Sequence, residues 1–198
     1  MSRAFHLAVG EDGLATVTFD APDRKVNVFT SEVMQELQEL VLDLGERHDI
    51  GCLVLLSGKP GNFIAGADVD GIASVTDPIE AETASRHGQR IFREWEELPF
   101  PTVAAVRGTC VGGGTELALA STYIVVSDRE SIRIGLPEIK LGILPAWGGC
   151  TRMPERIDLT DALDLILAGK LVPPKKAFKI GLADALLPDP AFPHLVRE

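Results

Sequence analysis

Apolar residues recur along the chain with two periodicities, one typical of strands and one typical of helices. Residues 14–19 alternate between apolar and polar side chains, which is typical of a strand with one buried face. Between residues 33 and 44, apolar side chains recur at spacings that keep them on one face of a helix. Thr30 or Ser31 is the predicted cap of that helix, because a hydroxyl oxygen can accept a hydrogen bond from a free N–H group of the first turn.

Further elements are marked by continuous apolar runs and by their end residues. Asp77-Pro78-Ile79-Glu80 predicts a helix start with an Asp cap, and that helix should end before Pro99. The remaining predictions are a loop at 58–70, strands at 52–56, 102–106, 123–126 and 131–134, and helices at 112–121, 161–168 (capped by Thr160) and 173–180. Strands that alternate with helices, with middle strands that are continuous apolar runs, predict α/β layers with right-handed crossovers.

The length of 198 residues indicates one domain with at most a short extension. We assign residues 1–188 to the domain core. Residues 189–198 contain Pro190 and Pro193, and we expect them to be a truncated end or the start of a linker.

The charge balance excludes some classes of function. Lys and Arg number 19 and Asp and Glu 29, a net charge of −10. This balance argues against nucleic acid as a partner and against a polybasic protein that binds membrane surfaces. No apolar run reaches the about 18 residues of a membrane-spanning helix. The three cysteines, Cys52, Cys110 and Cys150, form no C-x-x-C pair, so we expect buried free thiols in a reducing compartment and a cytoplasmic location.

Several cofactor motifs are absent from the sequence. It has neither a phosphate-binding G-x-x-x-x-G-K-[ST] loop nor a dinucleotide-binding G-x-G-x-x-G segment after a strand. Its four histidines are scattered and form no metal-ligand pattern, and no G-x-S-x-G elbow of a serine hydrolase occurs. We therefore expect no metal and no nucleotide cofactor.

Three segments could carry chemistry. Residues 62–68 (NFIAGAD) form a loop of small residues whose N–H groups could face an oxyanion. Residues 111–120 (VGGGTELALA) place three glycines before a helix start, with Glu116 in its first turn. Residues 134–145 (IGLPEIKLGILP) place Glu138 among apolar neighbours.

Each segment also has a plainer interpretation. The first could be an ordinary turn, Glu116 could simply complement the helix dipole, and Glu138 could be a surface carboxylate paired with Lys140. Taken together, two carboxyl groups in apolar settings beside N–H donors match the needs of water addition to a double bond conjugated to a carbonyl. That reaction needs a base, an acid and stabilisation of an enolate oxygen.

At this point the sequence resembles the crotonase superfamily of enoyl-CoA hydratases and isomerases. Residues 112–118 (GGGTELA) are similar to its G-G-G-x-E-L-A segment, residues 135–142 (GLPEIKLG) to its G-x-P-E-x-x-L-G segment, and residues 63–68 (FIAGAD) to its F-x-A-G-A-D segment. The sequence of residues 59–68 (KPGNFIAGAD) is most similar to the amino-terminal hydratase part of the multifunctional fatty-acid oxidation α subunit. The resemblance implies a crotonase-like α/β fold, a ββα spiral.

The resemblance also implies roles for single residues. Glu116 and Glu138 would be the catalytic acid and base, and the N–H groups of Ala67 and Gly113 would form the oxyanion hole. Residues that would border coenzyme A are Lys25, Ala65 and Asp68. The implied activity is hydration of trans-2-enoyl-CoA to 3-hydroxyacyl-CoA in fatty-acid β-oxidation, with coenzyme A as part of the substrate and no separate cofactor.

Cations near the substrate would have to offset the negative charge of the protein, because that charge repels a polyphosphate. Lys25 is the candidate that the resemblance favours, and the other candidates are Arg24, Lys59 and Arg107. For each of the four, a solvated surface charge is the plainer interpretation.

The sequence also departs from the family pattern. Residues 144–152 (LPAWGGCTR) have Ala where the family usually has Gly after Pro, and Trp147 is bulky, which affects the fit of an acyl chain. The chain stops before the closing C-terminal helices of the family's domain, so we expect a fragment of a longer polypeptide or a domain completed in another way.

An oligomer, or membership of a multifunctional fatty-acid oxidation complex, is the expected assembly. Two alternatives remain open: a Δ3–Δ2 enoyl-CoA isomerase, and a non-catalytic acyl-CoA-binding or assembly fragment.

Overall fold

The computed structural model describes residues 3–196. Its ten strands are β1 (Phe5–Val9), β2 (Leu14–Phe19), β3 (Cys52–Ser57), β4 (Asn62–Ile64), β5 (Thr102–Val106), β6 (Thr109–Val111), β7 (Tyr123–Ser127), β8 (Ile134–Gly135), β9 (Leu171–Val172) and β10 (Ala185–Leu187). Its helices are α1 (Ser31–Gly45), α2 (Val69–Ser74), α3 (Pro78–Glu96), α4 (Gly113–Leu119), a 3₁₀ helix (Glu138–Leu141), α5 (Gly149–Arg156), α6 (Leu159–Leu167), α7 (Pro174–Lys179) and α8 (Phe192–Leu195). None of the helices in this part of the chain is long and apolar enough to cross a membrane.

The larger sheet has six strands in the order β1-β2-β3-β5-β7-β10. β1 and β2 form an antiparallel hairpin, and every other neighbouring pair is parallel. The predicted strands at 14–19 and 102–106 have the observed bounds, and the strand predicted at 52–56 extends by one residue. The α/β class is therefore confirmed.

A second sheet contains four short strands in the order β4-β6-β8-β9 and lies beside the site described below. β4, β6 and β8 are parallel, and β9 is antiparallel to β8. α4 packs against this sheet so closely that a Cβ on Gly114 would lie 2.5 Å from the carbonyl oxygen of Ile64. The glycine at 114 is thus required by a close helix–strand approach.

The main core lies between the large sheet and helices α1 and α3. The predicted face of α1 is buried, and the Thr30 hydroxyl accepts a hydrogen bond from the N–H group of Val33 (3.3 Å), which confirms Thr30 as the cap. In α3, Asp77 caps the helix as predicted, and Trp95 is fully buried with its indole N–H donating to Ser121 (3.1 Å). These contacts hold α3 across the sheet, so that its first turns reach the site.

The opposite face of the large sheet is covered in part by the end of the chain. Phe192 of α8 is buried against Val54 and Ala105. Asp189 accepts hydrogen bonds from the guanidinium groups of Arg107 (3.0 Å) and Arg129 (2.8 Å). Residues 189–196, expected to be a truncated end or a linker start, therefore pack against the sheet, and residues 197–198 of that segment lie outside the described residues. The boundary at 188 stays a prediction.

Three local predictions were wrong. α6 begins at Leu159, and its cap is Asp158, whose carboxylate accepts from the N–H group of Thr160 (2.9 Å), so Thr160 is inside the helix. The strand predicted at 131–134 is only Ile134–Gly135, because a turn bonds the N–H group of Ile132 to the carbonyl of Arg129 (3.1 Å). The loop predicted at 58–70 contains β4 and the start of α2.

The expectation of buried thiols is correct only for Cys110. Cys52, at the start of β3, is half-buried, and Cys150, in the first turn of α5, is exposed.

Candidate active site

One cavity of about 380 Å³ brings together all three segments singled out by the sequence. It is lined by residues 65–67, by residues 111–113 with Glu116, and by Pro137 and Glu138. α2 and the first turns of α3 form its outer wall, and residues 141–147 close another side. The cavity is of the size usual for small-molecule sites, and its lining is mainly apolar.

Two glycine turns place the backbone at the cavity. Gly66 has φ +90° and Gly112 has φ +56°, conformations that favour glycine. The turns lie against each other, since a Cβ on Gly66 would be 3.2 Å from the carbonyl oxygen of Val111 and 3.5 Å from the nitrogen of Gly113. Any larger residue at 66 would separate the two turns.

The N–H groups of Ala67 and Gly113 have no acceptor within residues 3–196. Phe29 bonds to the residues on either side of Ala67: its N–H donates to Gly66 (2.9 Å) and its carbonyl accepts from Asp68 (3.0 Å). Gly113 is the first residue of α4, where helical N–H groups have no partner in the helix. Two backbone donors from different segments are thus available beside one cavity.

Glu116 lies in the first turn of α4 and is 2% exposed. Its Oε1 accepts the N–H groups of Trp147 (2.8 Å) and Gly149 (2.9 Å). Burial raises the pKa of Glu116, while those two N–H groups and the charge of Arg152 act in the opposite direction. The carboxyl group is therefore fixed in position by its first oxygen, and its second oxygen has no hydrogen-bond partner among residues 3–196.

Glu138 begins the 3₁₀ helix and is 9% exposed. Its Oε2 is buried and has no hydrogen-bond partner in the part of the chain that the structure describes. Burial raises the pKa of Glu138 to about 7, and the negative charge of Glu116 acts in the same direction. Glu138 is buried and forms no ion pair with Lys140 within residues 3–196, so the interpretation as a paired surface carboxylate is wrong.

The two carboxyl groups share one cavity but have different environments. Two backbone donors hold Glu116, whereas Oε2 of Glu138 has no hydrogen-bond partner within the described residues. Glu138 also has a pKa near neutrality, so both its protonated and its ionised forms are accessible at physiological pH. Such a pair can accept a proton at one point of a bound molecule and donate one at another, while the free N–H groups stabilise an oxyanion.

The structure places the three residues predicted to border coenzyme A differently with respect to the cavity. Ala65 lines the cavity, and its N–H donates to the carbonyl of Asn27 (2.8 Å). Asp68 lies outside the lining and forms an ion pair with Arg24 (3.2 Å). Lys25 is exposed on the neighbouring loop.

The four candidate cations differ in whether a carboxylate already neutralises them. Arg24, Lys59 and Arg107 each form an ion pair. Lys25 has no acidic partner within residues 3–196. It is therefore the candidate whose charge is most available to an anion.

The two backbone donors that fix Glu116 are the feature of the site that the sequence analysis missed. The backbone donors of Trp147 and Gly149 that hold Glu116 come from the segment noted only for its departure from the family pattern. The signal was the Gly148–Gly149 pair: Gly148 has φ +117°, and this turn directs the N–H group of Gly149 towards Glu116. Over residues 3–196, no group of three or more His, Cys, Asp and Glu side chains is placed to hold a metal ion.

Residues 10–198 match the protein family described as Enoyl-CoA hydratase/isomerase. The chain is 42% identical over 187 residues to a protein of Vibrio campbellii named "Fatty acid oxidation complex subunit alpha", covering 94% of this chain and 27% of that protein. A Vibrio parahaemolyticus protein of the same name is 43% identical over 187 residues, with the same coverage. The chain thus spans about a quarter of the length of these relatives.

Solved structures give the same result for the fold. A Geobacillus kaustophilus structure described as "Enoyl-CoA hydrates" aligns with a TM-score of 0.92 and 29% identity, covering 100% of this chain and 73% of that one. The enoyl-CoA hydratase of Bacillus anthracis aligns with a TM-score of 0.89 and 26% identity, covering 98% and 74%. The resemblance stated from the sequence is confirmed, and the chain belongs to the enoyl-CoA hydratase/isomerase family, whose crotonase-type α/β fold it adopts.

Proposed function

We propose that this chain hydrates trans-2-enoyl-CoA thioesters to 3-hydroxyacyl-CoA in fatty-acid β-oxidation. The observation that carries the proposal is the meeting of Glu116, Glu138 and two free backbone N–H groups at one apolar cavity. Membership of the family and the names of the relatives support the substrate class.

In the proposed reaction, the thioester oxygen of the substrate lies against the N–H groups of Ala67 and Gly113. As the oxygen of water bonds to C3, the electrons of the C2–C3 double bond move towards C1, and an enolate forms. The two N–H groups then stabilise the negative oxygen, and each such donor contributes roughly 2.7–4 kcal/mol in comparable sites.

We assign the base role to Glu116 and the acid role to Glu138. Two N–H donors stabilise the carboxylate of Glu116, so its free oxygen can accept a proton from the attacking water. Glu138, with a pKa of about 7, retains a proton in a large fraction of molecules and can donate it to C2. Water is thereby added across the double bond, and one proton returns from Glu116 to Glu138 before the next turnover.

Coenzyme A remains part of the substrate in this proposal, and no metal or nucleotide cofactor is required. Lys25 would contact a phosphate group, because it lies on the loop that precedes Asn27 and is not neutralised by a carboxylate in the described chain. Ala65 would border the coenzyme A chain at the cavity edge. Asp68 would act there through its ion pair with Arg24.

The test measures hydration of crotonyl-CoA by the 198-residue chain, followed as loss of the conjugated-thioester absorbance. Glu138→Gln and Glu116→Gln should each lower kcat by about 10²–10⁴-fold, because an amide can neither accept nor donate the transferred proton. Glu155→Gln, an exposed glutamate of α5, is the matched control and should retain wild-type activity. Full activity in Glu138→Gln would refute the two-carboxylate mechanism.

The same assays distinguish the two alternatives. A Δ3–Δ2 isomerase would convert 3-enoyl-CoA to 2-enoyl-CoA and needs no attacking water, so it could operate with Glu138 alone. A binding module would retain affinity for acyl-CoA in calorimetry without turnover of either substrate. Hydration that depends on both glutamates would contradict the binding module and would identify hydration as the main activity.

We propose further that the chain works as the hydratase part of a larger fatty-acid oxidation polypeptide or complex in the cytoplasm. Its 42% identity to about a quarter of a fatty acid oxidation complex subunit supports this. The intact mass of the native polypeptide, isolated from its source, tests the proposal: a mass near 21.3 kDa would contradict a larger polypeptide.

A further inference from the structure

The indole of Trp147 occupies a site formed by two glycines. On one side it lies against Gly88 of α3, where a Cβ would overlap the indole Nε1 and Cδ1 atoms. On the other it lies against Gly113, where a Cβ would be 2.6 Å from Cζ3. Phe29 and Phe92 contact the ring edge-to-face, with centroids 5.8 Å and 5.4 Å away. The ring therefore has little freedom to move inward.

The backbone on both sides of the ring is also held. The N–H group of Trp147 donates to Glu116 (2.8 Å), and its carbonyl accepts from Arg152 (3.1 Å). The carbonyl of the preceding residue, Ala146, accepts from Gln89 of α3 (2.8 Å). Because α3 and Glu116 both hold this turn, the indole is a fixed part of the cavity wall.

The wall that α3 contributes consists of small residues. Ala81, Ala84 and Ser85 line the cavity, and Gly88 continues the same helix face at the next position. The first three leave space for a ligand, whereas the space in front of Gly88 is filled by Trp147. The cavity therefore ends at the indole, next to Gly113, whose N–H group faces the proposed thioester site.

We infer that Trp147, held against Gly88, determines how deep the acyl end of the cavity is, and thereby which acyl-chain lengths the site accepts. This inference rests on the proposed function, because it takes the ligand to be an enoyl-CoA. Removing the indole should open the space in front of Gly88 to additional methylene groups. Adding a methyl group at Gly88 should push the indole into the cavity and shorten it.

The experiment compares the wild type with Trp147→Ala, Trp147→Phe and Gly88→Ala. For each protein, kcat/KM is measured with 2-enoyl-CoA substrates of four, six, eight and ten carbons. A second readout is calorimetric affinity for the corresponding saturated acyl-CoA esters, which cannot be hydrated. Leu141→Ala is the matched control, because Leu141 lines the exposed mouth and its truncation does not deepen the closed end.

The expected result is a change in the ratio of the eight-carbon to the four-carbon value. In Trp147→Ala the ratio should rise by about tenfold or more, since one methylene in an apolar pocket changes discrimination by roughly 10–200-fold. Trp147→Phe, which keeps an aromatic ring there, should give an intermediate ratio. Gly88→Ala should lower the ratio, and Leu141→Ala should leave it unchanged while reducing the absolute values at every length.

The outcomes separate this inference from the proposed function. An unchanged ratio in folded Trp147→Ala and Trp147→Phe, with an active wild type, would overturn the inference and leave the proposed function intact. A wild type that hydrates no enoyl-CoA would refute the proposed function, and the calorimetric ratios would then decide the inference on their own. Absence of any acyl-CoA binding would overturn both.

Discussion

Glu138 should make the protein less stable as the pH rises, and this effect can be measured without substrate. Burial raises its pKa from 4.5 to about 7, so the folded protein holds this proton in a pH range where the unfolded chain releases it. The free energy of unfolding that the protonated Glu138 carboxyl group contributes is fully present below about pH 4.5 and is lost as the pH rises through about 7. A shift of this size corresponds to at most about 3 kcal/mol, and water entering the cavity reduces it, so we expect roughly 1–3 kcal/mol.

The assay is urea unfolding of the wild type and Glu138→Gln at about pH 5 and about pH 8.5. The glutamine has no charge to bury, so the free energy of unfolding of the variant, relative to wild type, should increase by roughly 1–3 kcal/mol between the lower and the higher pH. A buried amide without partners has its own cost, but that cost is the same at both pH values and cancels in the comparison. Glu155→Gln, also a loss of one negative charge, should show no such increase.

The reasoning would be refuted if the stability difference between wild type and Glu138→Gln were the same at both pH values. A difference that decreased with pH would mean that the folded protein stabilises the ionised carboxylate. That result would also remove the basis for Glu138 as the acid, because its proton would then be lost well below neutral pH.

Three further predictions concern other parts of the molecule. Asn27→Ala should lower the free energy of unfolding by about 3 kcal/mol in urea, because the fully buried amide bonds to several backbone groups that would be left unpaired. Asp189→Asn should lower stability by about 1 kcal/mol at neutral pH, and the difference from wild type should shrink below about pH 4, since two arginines hold the pKa of Asp189 well below its usual range. Lys25→Ala should raise KM for crotonyl-CoA by at most about fivefold with little change in kcat. The increase in KM should become smaller with added salt, because salt screens the charge of Lys25. A large fall in kcat would contradict a role in phosphate binding alone.

The parts of the fold that the sequence predicts well are those specified by neighbouring residues. α1 and α3 have a cap, an apolar face and a stop within one short segment, and their observed starts follow Thr30 and Asp77 as expected. The strands at 14–19 and 102–106 are likewise defined by their own apolar pattern. Local rules decide such elements because the competing conformations are excluded within a few residues.

The elements that the sequence did not predict depend on pairing with distant segments, or on a choice between two neighbouring residues that can both cap a helix. β4 has only three residues, and its pairing with β6 joins segments more than forty residues apart. Asp158 and Thr160 are both good capping residues two positions apart, so the sequence alone does not choose between them. In the structure Asp158 is the cap.

In the candidate site, the sequence identifies the carboxyl side chains but not the backbone groups that hold them. The carboxyl groups of Glu116 and Glu138 could be identified because a charged residue among apolar neighbours stands out in a sequence. The groups that fix Glu116 are main-chain N–H donors, which every residue except proline possesses. Only the course of the backbone around Gly148 shows which of them face the carboxylate.

This course of the backbone connects the chemistry of the site with the shape of its cavity. The turn at 146–149 supplies both N–H donors to Glu116 and also carries the indole that fills the space in front of Gly88. A substitution that moves the backbone of this turn would therefore affect proton transfer and chain-length preference together, whereas one that trims only the indole of Trp147 keeps both N–H donors to Glu116 and acts mainly on the preference. The two glycines that accept the indole, Gly88 and Gly113, lie on different helices, so the cavity shape depends on how α3 and α4 are held relative to each other. Trp95 of α3 is buried and its indole N–H donates to Ser121, and these contacts fix the position of the helix. The site therefore depends on that position as much as the core does.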